Sequence, residues 1–403
     1  MIFLYLAIGI VSLEILLQGI VRALRNEFQW LIKEEDEHPV LDKNGLNKFF
    51  NSSYDPHLGW VRRANTTGKE RGQKGTITFH VDELGARKNP HQTGKPLVAA
   101  FGDSYTFARQ VEDGETWEAQ LSKRIGRDVL NFGVGNYGAD QGLLRYEKTD
   151  LPEDVKAAVL GFVPETICRV HSYWKHYLEF GNTFAFKPRF RLSEEGDLQL
   201  LENPMKTQEH FERLDEIIPQ VSKHDEFYER KFRSVQFRFP YLISFFRNPE
   251  RHFSILSALI KRAYSRAEGR SDSRIENRPF KLIMKYNIQG SHEMYADEQA
   301  KQLLRQIFIR FRQKAELRGH IPLILVMPQL LDLELTEGEE APYEPFYKDL
   351  QAVVDVVDMT RIFKQKDYHR LYIDDQYGGH LSVEGNRLVA EEIKKWLQTK
   401  HLL

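Results

Sequence analysis

The sequence predicts an α/β fold with a parallel sheet, a large helical insertion and an apolar helix at the N-terminus. Short apolar runs alternate with helical patterns in two blocks, 96–165 and 291–403, which is typical of parallel strands joined by crossover helices. Between these blocks, residues 166–290 form an aromatic and basic segment that the core does not need. Residues 2–24 are almost wholly apolar.

Residues 1–27 are predicted to form a membrane anchor. About 20 consecutive apolar residues span a bilayer as a helix, and the run at 2–24 reaches that length. Its polar interruptions, Glu14, Gln18 and Arg22, are four residues apart and therefore share one helical face. A helix lying in the membrane interface, or docked on the protein itself, remains open as an alternative. No small-residue cleavage site follows the run, which argues against a removed signal peptide.

Residues 28–95 are predicted to be a linker followed by a short β-rich prelude. The charged stretch at 33–38 is typical of a linker. Alternating polar and apolar residues at 76–81 predict a strand, and Gly, Pro and Asn interrupt the region 54–90. We expect this segment to be structural.

The core elements follow from short apolar runs and from helical periodicity. The predicted elements are, in order, a strand at 96–101, a helix at 115–125, a strand at 128–133, a helix at 141–149, strands at 157–163, 321–327 and 353–359, and a helix at 383–397 capped by Ser382. Ligands of open α/β sheets bind beyond the carboxyl ends of the strands. The residues directly after these strands are therefore the candidate site residues.

Two of those residues suggest nucleophilic catalysis. Ser104 follows the apolar run 97–101 in a Gly-Asp-Ser turn, which can raise a hydroxyl off the end of a sheet. His380 lies in a Gly-rich loop just before the last predicted helix. A serine hydroxyl needs a general base to become a nucleophile, and histidine has a suitable pKa. Because such sites are defined by geometry and not by sequence order, the two residues can meet.

These motifs resemble those of the SGNH/GDSL hydrolases. The resemblance is carried by Gly-Asp-Ser-Tyr-Thr at 102–106, Asn-Phe-Gly-Val-Gly-Asn-Tyr-Gly at 131–138 and Gly-Gly-His-Leu-Ser-Val-Glu-Gly-Asn at 378–386. It covers 96–165 and 290–403, about half of the chain. It implies a flavodoxin-like three-layer sandwich and an esterase, lipase or carbohydrate O-acyl transfer or deacetylation activity.

The resemblance also raises the question of a third catalytic residue. The family commonly has an aspartate three residues before the histidine, and this sequence has Tyr377 there. Asp375 and Asp374 are the nearest carboxylates, and Asp375 is our choice for the acid that orients His380. Asp374, or a dyad in which a backbone carbonyl holds the imidazole, remains open.

The oxyanion of an acyl-transfer intermediate needs preorganised donors. The resemblance implies the Ser104 amide as one donor and the amide of Asn136 as a second. The family's third donor is usually an asparagine after the third strand, and none is present at 161–166. Thr166 is the candidate replacement. Residues 165–169 resemble a block of membrane-anchored members linked to polysaccharide modification, which makes Arg169 a candidate for the site or for a solvated helix face.

The main functional hypothesis is a membrane-anchored serine esterase that hydrolyses an acyl ester, with a carbohydrate-linked ester as one candidate substrate. Two alternatives stay open: a carbohydrate O-acyltransferase using the same residues, and a catalytically silent carbohydrate-binding member of the fold. We expect no cofactor and no metal, and the net charge of −1 argues against nucleic acid as a partner. Similar single-anchor members place this domain outside the cytoplasmic membrane, whereas Arg22, Arg25 and Lys33 favour a cytoplasmic flank.

The insertion allows two interpretations. Residues 230–281 contain thirteen Lys and Arg against four Asp and Glu, with many interleaved aromatic residues. The segment is either an amphipathic cap packed on the core, or a surface for anionic lipid headgroups or an anionic carbohydrate. The single cysteine, Cys168, is expected to be an inert core residue.

Overall fold

Strands and helices alternate through the core. In the computed structural model, which describes residues 1–25, 31, 38–72, 75–270, 272–373 and 379–403, the strands are β1 (Tyr54–Asp55), β2 (Gly59–Trp60), β3 (Thr66–Gly72), β4 (Gly75–Val81), β5 (Pro96–Gly102), β6 (Asp128–Gly133), β7 (Ala157–Phe162), β8 (Arg189–Leu192), β9 (Leu198–Leu201), β10 (Ile321–Val326), β11 (Asp355–Asp358), β12 (Tyr372–Ile373) and β13 (His380–Leu381).

The α-helices of the same residues belong to the N-terminus, the segment before the core, the core and the insertion. They are α1 (Ile2–Ala23), α2 (Lys43–Ser52), α3 (Trp117–Ile125), α4 (Ala139–Lys148), α5 (Ile167–Val170), α6 (Lys175–Leu178), α7 (Gln208–Glu212), α8 (Leu214–His224), α9 (Tyr241–Arg247), α10 (Pro249–Ala267), α11 (Ser273–Glu293), α12 (Glu298–Leu317), α13 (Leu330–Leu335), α14 (Glu344–Leu350), α15 (Met359–Lys364) and α16 (Val383–Thr399).

The central sheet has five strands in the order β11-β10-β7-β5-β6. All neighbouring strands in it are parallel, with Phe101 opposite Phe132 and Leu160. Numbered by their order in the chain, these strands run 2-1-3-4-5, which is the order of flavodoxin-like sheets. The predicted α/β class with a parallel sheet is confirmed.

Helices cover both faces of this sheet. Successive side chains of a strand point to opposite faces. Phe101 and Leu160 therefore share one hydrophobic cluster with residues of α4 and α12. Ala100 and Val159 share another cluster, on the opposite face, with residues of α3 and α16. The core thus consists of a helical layer, the sheet and a second helical layer.

The predicted core elements are present, and their ends lie within two residues of the expected positions. The predicted cap of the last helix is also present, since Ser382 Oγ accepts a hydrogen bond from the Gly385 N–H at 3.2 Å. In the prelude, β3 and β4 pair as an antiparallel hairpin. Apolar periodicity was sufficient to locate these elements because their buried faces are continuous.

The segment predicted as a helical insertion contains helices α5–α11 and also the hairpin β8–β9, which was not predicted. Each of its strands is only four residues long. The residues of β8 do alternate between polar and apolar, but four residues is the shortest run in which such alternation indicates a strand. The helix α11 continues to Glu293, three residues past the expected end of the segment.

The N-terminal helix α1 is long and apolar enough to cross a membrane, with a mean hydropathy of 2.1 over its most apolar window. None of that window is buried inside the protein. Membrane spans and signal sequences share this length and composition.

Candidate active site

A sharp turn at the carboxyl end of β5 presents Ser104. Gly102 has a left-handed φ of 151°, and a Cβ there would collide with Thr106 Oγ1 and the Gly161 carbonyl, so only glycine fits. The Asp103 carboxylate accepts a hydrogen bond from the Tyr105 N–H at 2.8 Å and closes the turn. The serine is thereby held at the edge of the sheet where ligands bind.

The strand β13 brings His380 to the same edge. His380 pairs with Ile373 of β12 in antiparallel fashion. The Tyr105 hydroxyl donates to the Gly379 carbonyl at 2.7 Å, which ties the serine turn directly to the histidine strand. Residues 274 positions apart in the sequence are therefore joined by the tertiary fold.

Ser104 and His380 are in hydrogen-bonding contact, with Oγ and Nε2 2.9 Å apart. On the other side of the ring, His380 Nδ1 lies 3.1 Å from Gln110 Oε1, and the same oxygen accepts the His380 backbone N–H at 3.3 Å. An amide oxygen can only accept, so it selects the tautomer with a proton on Nδ1. That leaves Nε2 unprotonated and able to take the serine proton.

Gln110 was not recognised from the sequence. It is buried and adopts a left-handed φ of 72°, which turns its side chain back toward His380. The only available signal was its position six residues after Ser104 in the same turn region. Asp375, the acid expected from the sequence, and its alternative Asp374 lie outside the described residues. The assignment of Asp375 stays a prediction.

The imidazole of His380 is held in its neutral form. Desolvation, followed by the positive charges of Arg109 and Arg169, lowers the pKa of His380 to about 3. At ordinary pH the ring is therefore unprotonated, which is the form that a general base requires. The same surroundings would oppose a positive charge on the ring, because the contact at Nδ1 among the described residues is an uncharged amide.

A cavity of about 490 Å³ opens above these residues. Five of the six site residues expected from the sequence line it, namely Ser104, His380, Asn136, Thr166 and Arg169. Its other wall comes from the insertion and includes Leu178, Phe180, Lys231, Arg251, Phe280, Ile283 and Met284. The insertion therefore contributes directly to the candidate site.

Asn136, Thr166 and Arg169, the residues expected to contact the oxyanion or the substrate, differ in backbone conformation and in hydrogen bonding. Asn136 has a left-handed φ of 70°, a conformation that asparagine tolerates better than most residues. The Thr166 hydroxyl donates to the Val163 carbonyl at 2.7 Å, which uses its only proton. Arg169 donates from Nη1 to the Tyr137 carbonyl at 3.1 Å, and its buried Nε has no hydrogen-bond acceptor among the described residues. The roles of all three in catalysis stay predictions.

Comparison with known proteins adds little to this geometry. No protein-family model matches the sequence, and no curated protein matches it. Among solved structures, the chain is similar to one described as a lipolytic protein of the G-D-S-L family from Desulfitobacterium hafniense DCB-2. The two share 12% sequence identity over 74% of this chain and 97% of that chain, with a TM-score of 0.31. A likeness at that level carries no argument, so the site is interpreted from its own contacts.

Glu165 is a further titratable group in the cavity wall. Burial raises the pKa of its carboxyl to about 7, although the nearby Arg169 acts in the opposite direction. Gln329 Nε2 donates to Glu165 Oε2 at 3.0 Å. An acid with a raised pKa is protonated below that pKa and becomes an anion above it. Near neutral pH, Glu165 can therefore be neutral while an oxyanion forms in the same cavity.

We expect turnover of an ester substrate to fall as the pH rises through about 7, because ionised Glu165 opposes the developing oxyanion. Glu165→Gln keeps the position uncharged at every pH and should remove this decline in turnover. The glutamine oxygen can still accept the hydrogen bond from Gln329 Nε2. The measurement is kcat/KM between pH 5 and 9 for both proteins. An identical decline in the two proteins would show that another group causes it.

Cys168 is buried, as expected for an inert residue. Burial raises the pKa of its thiol to about 12, and Sγ contacts the Glu165 carbonyl at 3.1 Å. A thiol of this kind is not a nucleophile at neutral pH. Within the described ranges, no group of three His, Cys, Asp or Glu side chains is arranged to hold a metal ion.

Proposed function

We propose that this protein is a serine esterase of the SGNH/GDSL type. The observation that carries the proposal is the contact of 2.9 Å between Ser104 Oγ and His380 Nε2 at the carboxyl edge of a parallel sheet. In this contact a nucleophile meets its base. Both residues line a cavity that is large enough for a small ester. The motifs at 102–106, 131–138 and 378–386 support the same family assignment.

The proposed reaction has two stages. Ser104 Oγ attacks the ester carbonyl carbon while His380 Nε2 takes the serine proton. The tetrahedral intermediate collapses, the C–O bond to the alcohol breaks, and His380 returns the proton to the leaving alcohol. Water then attacks the acyl carbon while His380 Nε2 takes a proton from it. The bond from that carbon to Ser104 Oγ breaks, the carboxylic acid leaves, and His380 returns the proton to Ser104 Oγ.

The charges around the cavity suit an intermediate with a negative charge. Among the described residues that line it, five are cationic and three are acidic. Two of the acidic residues, Asp103 and Glu165, have a pKa raised by burial. The third, Glu179, pairs with Lys175 at 2.7 Å. The remaining positive charge would stabilise an oxyanion, and it also favours an ester that carries an anionic group.

A fluorophosphonate probe tests the proposal directly. Such a probe phosphonylates a serine only where a base activates it, so the native chain should be labelled and Ser104→Ala should not. Ser222→Ala, which changes a serine of α8 outside the cavity, is the matched control and should be labelled normally. Unlabelled native protein would contradict the esterase proposal and favour the silent carbohydrate-binding alternative.

Transfer of the acyl group to a sugar hydroxyl is the second candidate. It is favoured by the wall that the insertion adds to the cavity, since Leu178, Phe180 and Phe280 can exclude water from the acyl-enzyme. A transferase should release the alcohol of a minimal ester slowly and faster when a polysaccharide acceptor is added. Mass spectrometry of the glycan would detect the transferred acyl group. Steady turnover with water and no acylated glycan would leave hydrolysis as the reaction.

We further propose that α1 is a single-pass membrane anchor. Its length and apolar composition support this assignment. The active site would then lie beside a membrane, with an extracytoplasmic position favoured by the likeness of the motifs to single-anchor members of the family.

A further inference from the structure

The helix α1 does not stand apart from the rest of the protein. Leu17, Ile20 and Val21 pack against a hydrophobic cluster that contains Leu24 and residues of α10 and α11. In the same half of the helix, the Glu14 carboxylate accepts hydrogen bonds from the backbone N–H groups of Tyr241 at 2.6 Å and Leu242 at 2.8 Å. The insertion therefore meets α1 from its middle to its C-terminal end.

The length of α1 then limits where the membrane can be. Residues 2–13 are exposed on every side, and at about 1.5 Å per residue they extend about 18 Å. The hydrocarbon core of a bilayer is about 30 Å thick. If α1 spans the bilayer, the remaining hydrocarbon, roughly 12 Å thick, must surround the half of the helix that begins at Glu14. The part of the insertion packed on that half lies at the same depth.

That part of the insertion has an apolar surface facing outward. In α9, Ile243 and Phe246 are three residues apart on one face, and in α10 the spacings of seven and four residues put Phe253, Ile260 and Tyr264 on one face. We call these residues, with Phe239 just before α9, the α9–α10 face. Their exposed fractions are 60% for Phe239, 58% for Ile243, 68% for Phe246, 67% for Phe253, 46% for Ile260 and 64% for Tyr264.

Charge and composition also fit a lipid surface. Exposed Arg247 ends α9, and exposed Lys261 lies next to Ile260 in α10. Long basic side chains beside an apolar face can reach anionic headgroups while the apolar residues enter the acyl layer. Aromatic residues such as Phe and Tyr are well suited to this boundary.

We propose that the α9–α10 face is submerged in the acyl layer of the bilayer leaflet next to the active-site domain, alongside α1. The proposal rests on the membrane anchor proposed above. It makes the insertion a membrane-embedded element that fixes the height of the protein on the membrane, in addition to its part in the cavity wall.

The same element reaches the active site. Ile283 of α11 belongs to the cluster that packs on α1, and it also lines the cavity that contains Ser104. Its neighbour Met284 lines the cavity as well. The cavity is therefore joined to the membrane-embedded element through one wall, and an ester carried by a membrane lipid is the substrate class that this arrangement suits best.

Depth-dependent fluorescence quenching tests the location of the face. The full chain is placed in vesicles of phosphatidylcholine and phosphatidylglycerol, and Phe246→Cys and Phe253→Cys are each labelled with a nitrobenzoxadiazole dye. Buried Cys168 should not react, which the unsubstituted chain will show. Leu317→Cys is the control, because Leu317 is an apolar residue 81% exposed at the end of the core helix α12.

Lipids with brominated acyl chains should quench the dye at positions 246 and 253 severalfold more than at 317, and aqueous iodide should show the reverse order. Equal access of iodide to positions 246 and 317 would overturn the proposal. Shielding of position 246 from both quenchers would overturn it too, since a protein partner or second copy would then cover the face. Release of the full chain by an alkaline wash would instead contradict the anchor, and fluorophosphonate labelling of each variant reports separately on the esterase.

Discussion

Ser104→Ala and His380→Ala are each expected to reduce turnover of small acyl esters by at least about 10³-fold, without unfolding the protein. The alanine variants lose the proposed nucleophile or the proposed base, whose Oγ and Nε2 atoms are 2.9 Å apart. Because the two residues act as one unit, the double variant should be about as slow as either single variant. The measurement is kcat/KM for a chromogenic ester, with circular dichroism to confirm folding.

Ser222→Ala should keep native turnover, since Ser222 is in α8 and does not line the cavity. If Ser104→Ala retains most of the activity, the ester is cleaved elsewhere and the proposed mechanism is wrong. Additive losses in the double variant would mean that the serine and the histidine act independently.

Gln110→Glu is expected to raise turnover at least about tenfold, because a carboxylate in place of this amide stabilises the imidazolium that forms on His380. Gln110 Oε1 is 3.1 Å from His380 Nδ1, so glutamate can make the same contact. In the native chain the pKa of His380 is lowered to about 3, so protonation of the imidazole should not limit the rate above pH 5. The carboxylate raises that pKa, so an acidic limb should move toward neutral pH.

The experiment compares pH–rate profiles of the native chain, Gln110→Glu and Gln110→Ala. The alanine variant removes the acceptor at Nδ1 and should lower the rate, since the required tautomer is no longer selected. If neither substitution changes the profile, the orienting group comes from elsewhere in the chain. Asp375→Asn and Asp374→Asn would then identify it, with a large loss expected from the residue that holds the imidazole.

Local sequence patterns were sufficient to predict the core elements and to select Ser104 and His380 as candidate site residues. The strand before Ser104 is a continuous apolar run, and the helix after His380 has both a cap and an apolar face, so their identity depends on nearby residues alone. The turn at Gly102 and the left-handed Asn136 likewise reflect properties of the residue types. A parallel sheet then brings these positions to one edge.

The residues that contact Ser104 and His380 in the folded protein could not be predicted in this way. The sequence has no pattern that places Gln110 against His380, because the contact joins residues 270 positions apart through the tertiary fold. The hairpin β8–β9 was missed because each of its strands is only four residues long, the shortest run in which alternation is a signal.

The α/β core, the apolar N-terminal helix and the candidates Ser104 and His380 could be predicted from the sequence alone, since each depends on short-range periodicity or on a residue's own chemistry. The shifted pKa values of Glu165 and His380, the cavity wall made by the insertion and the contact of Glu14 with α9 arise from the folded arrangement and could not be predicted. Desolvation and charge interactions depend on which groups surround a residue in space, and neighbours in sequence do not specify them.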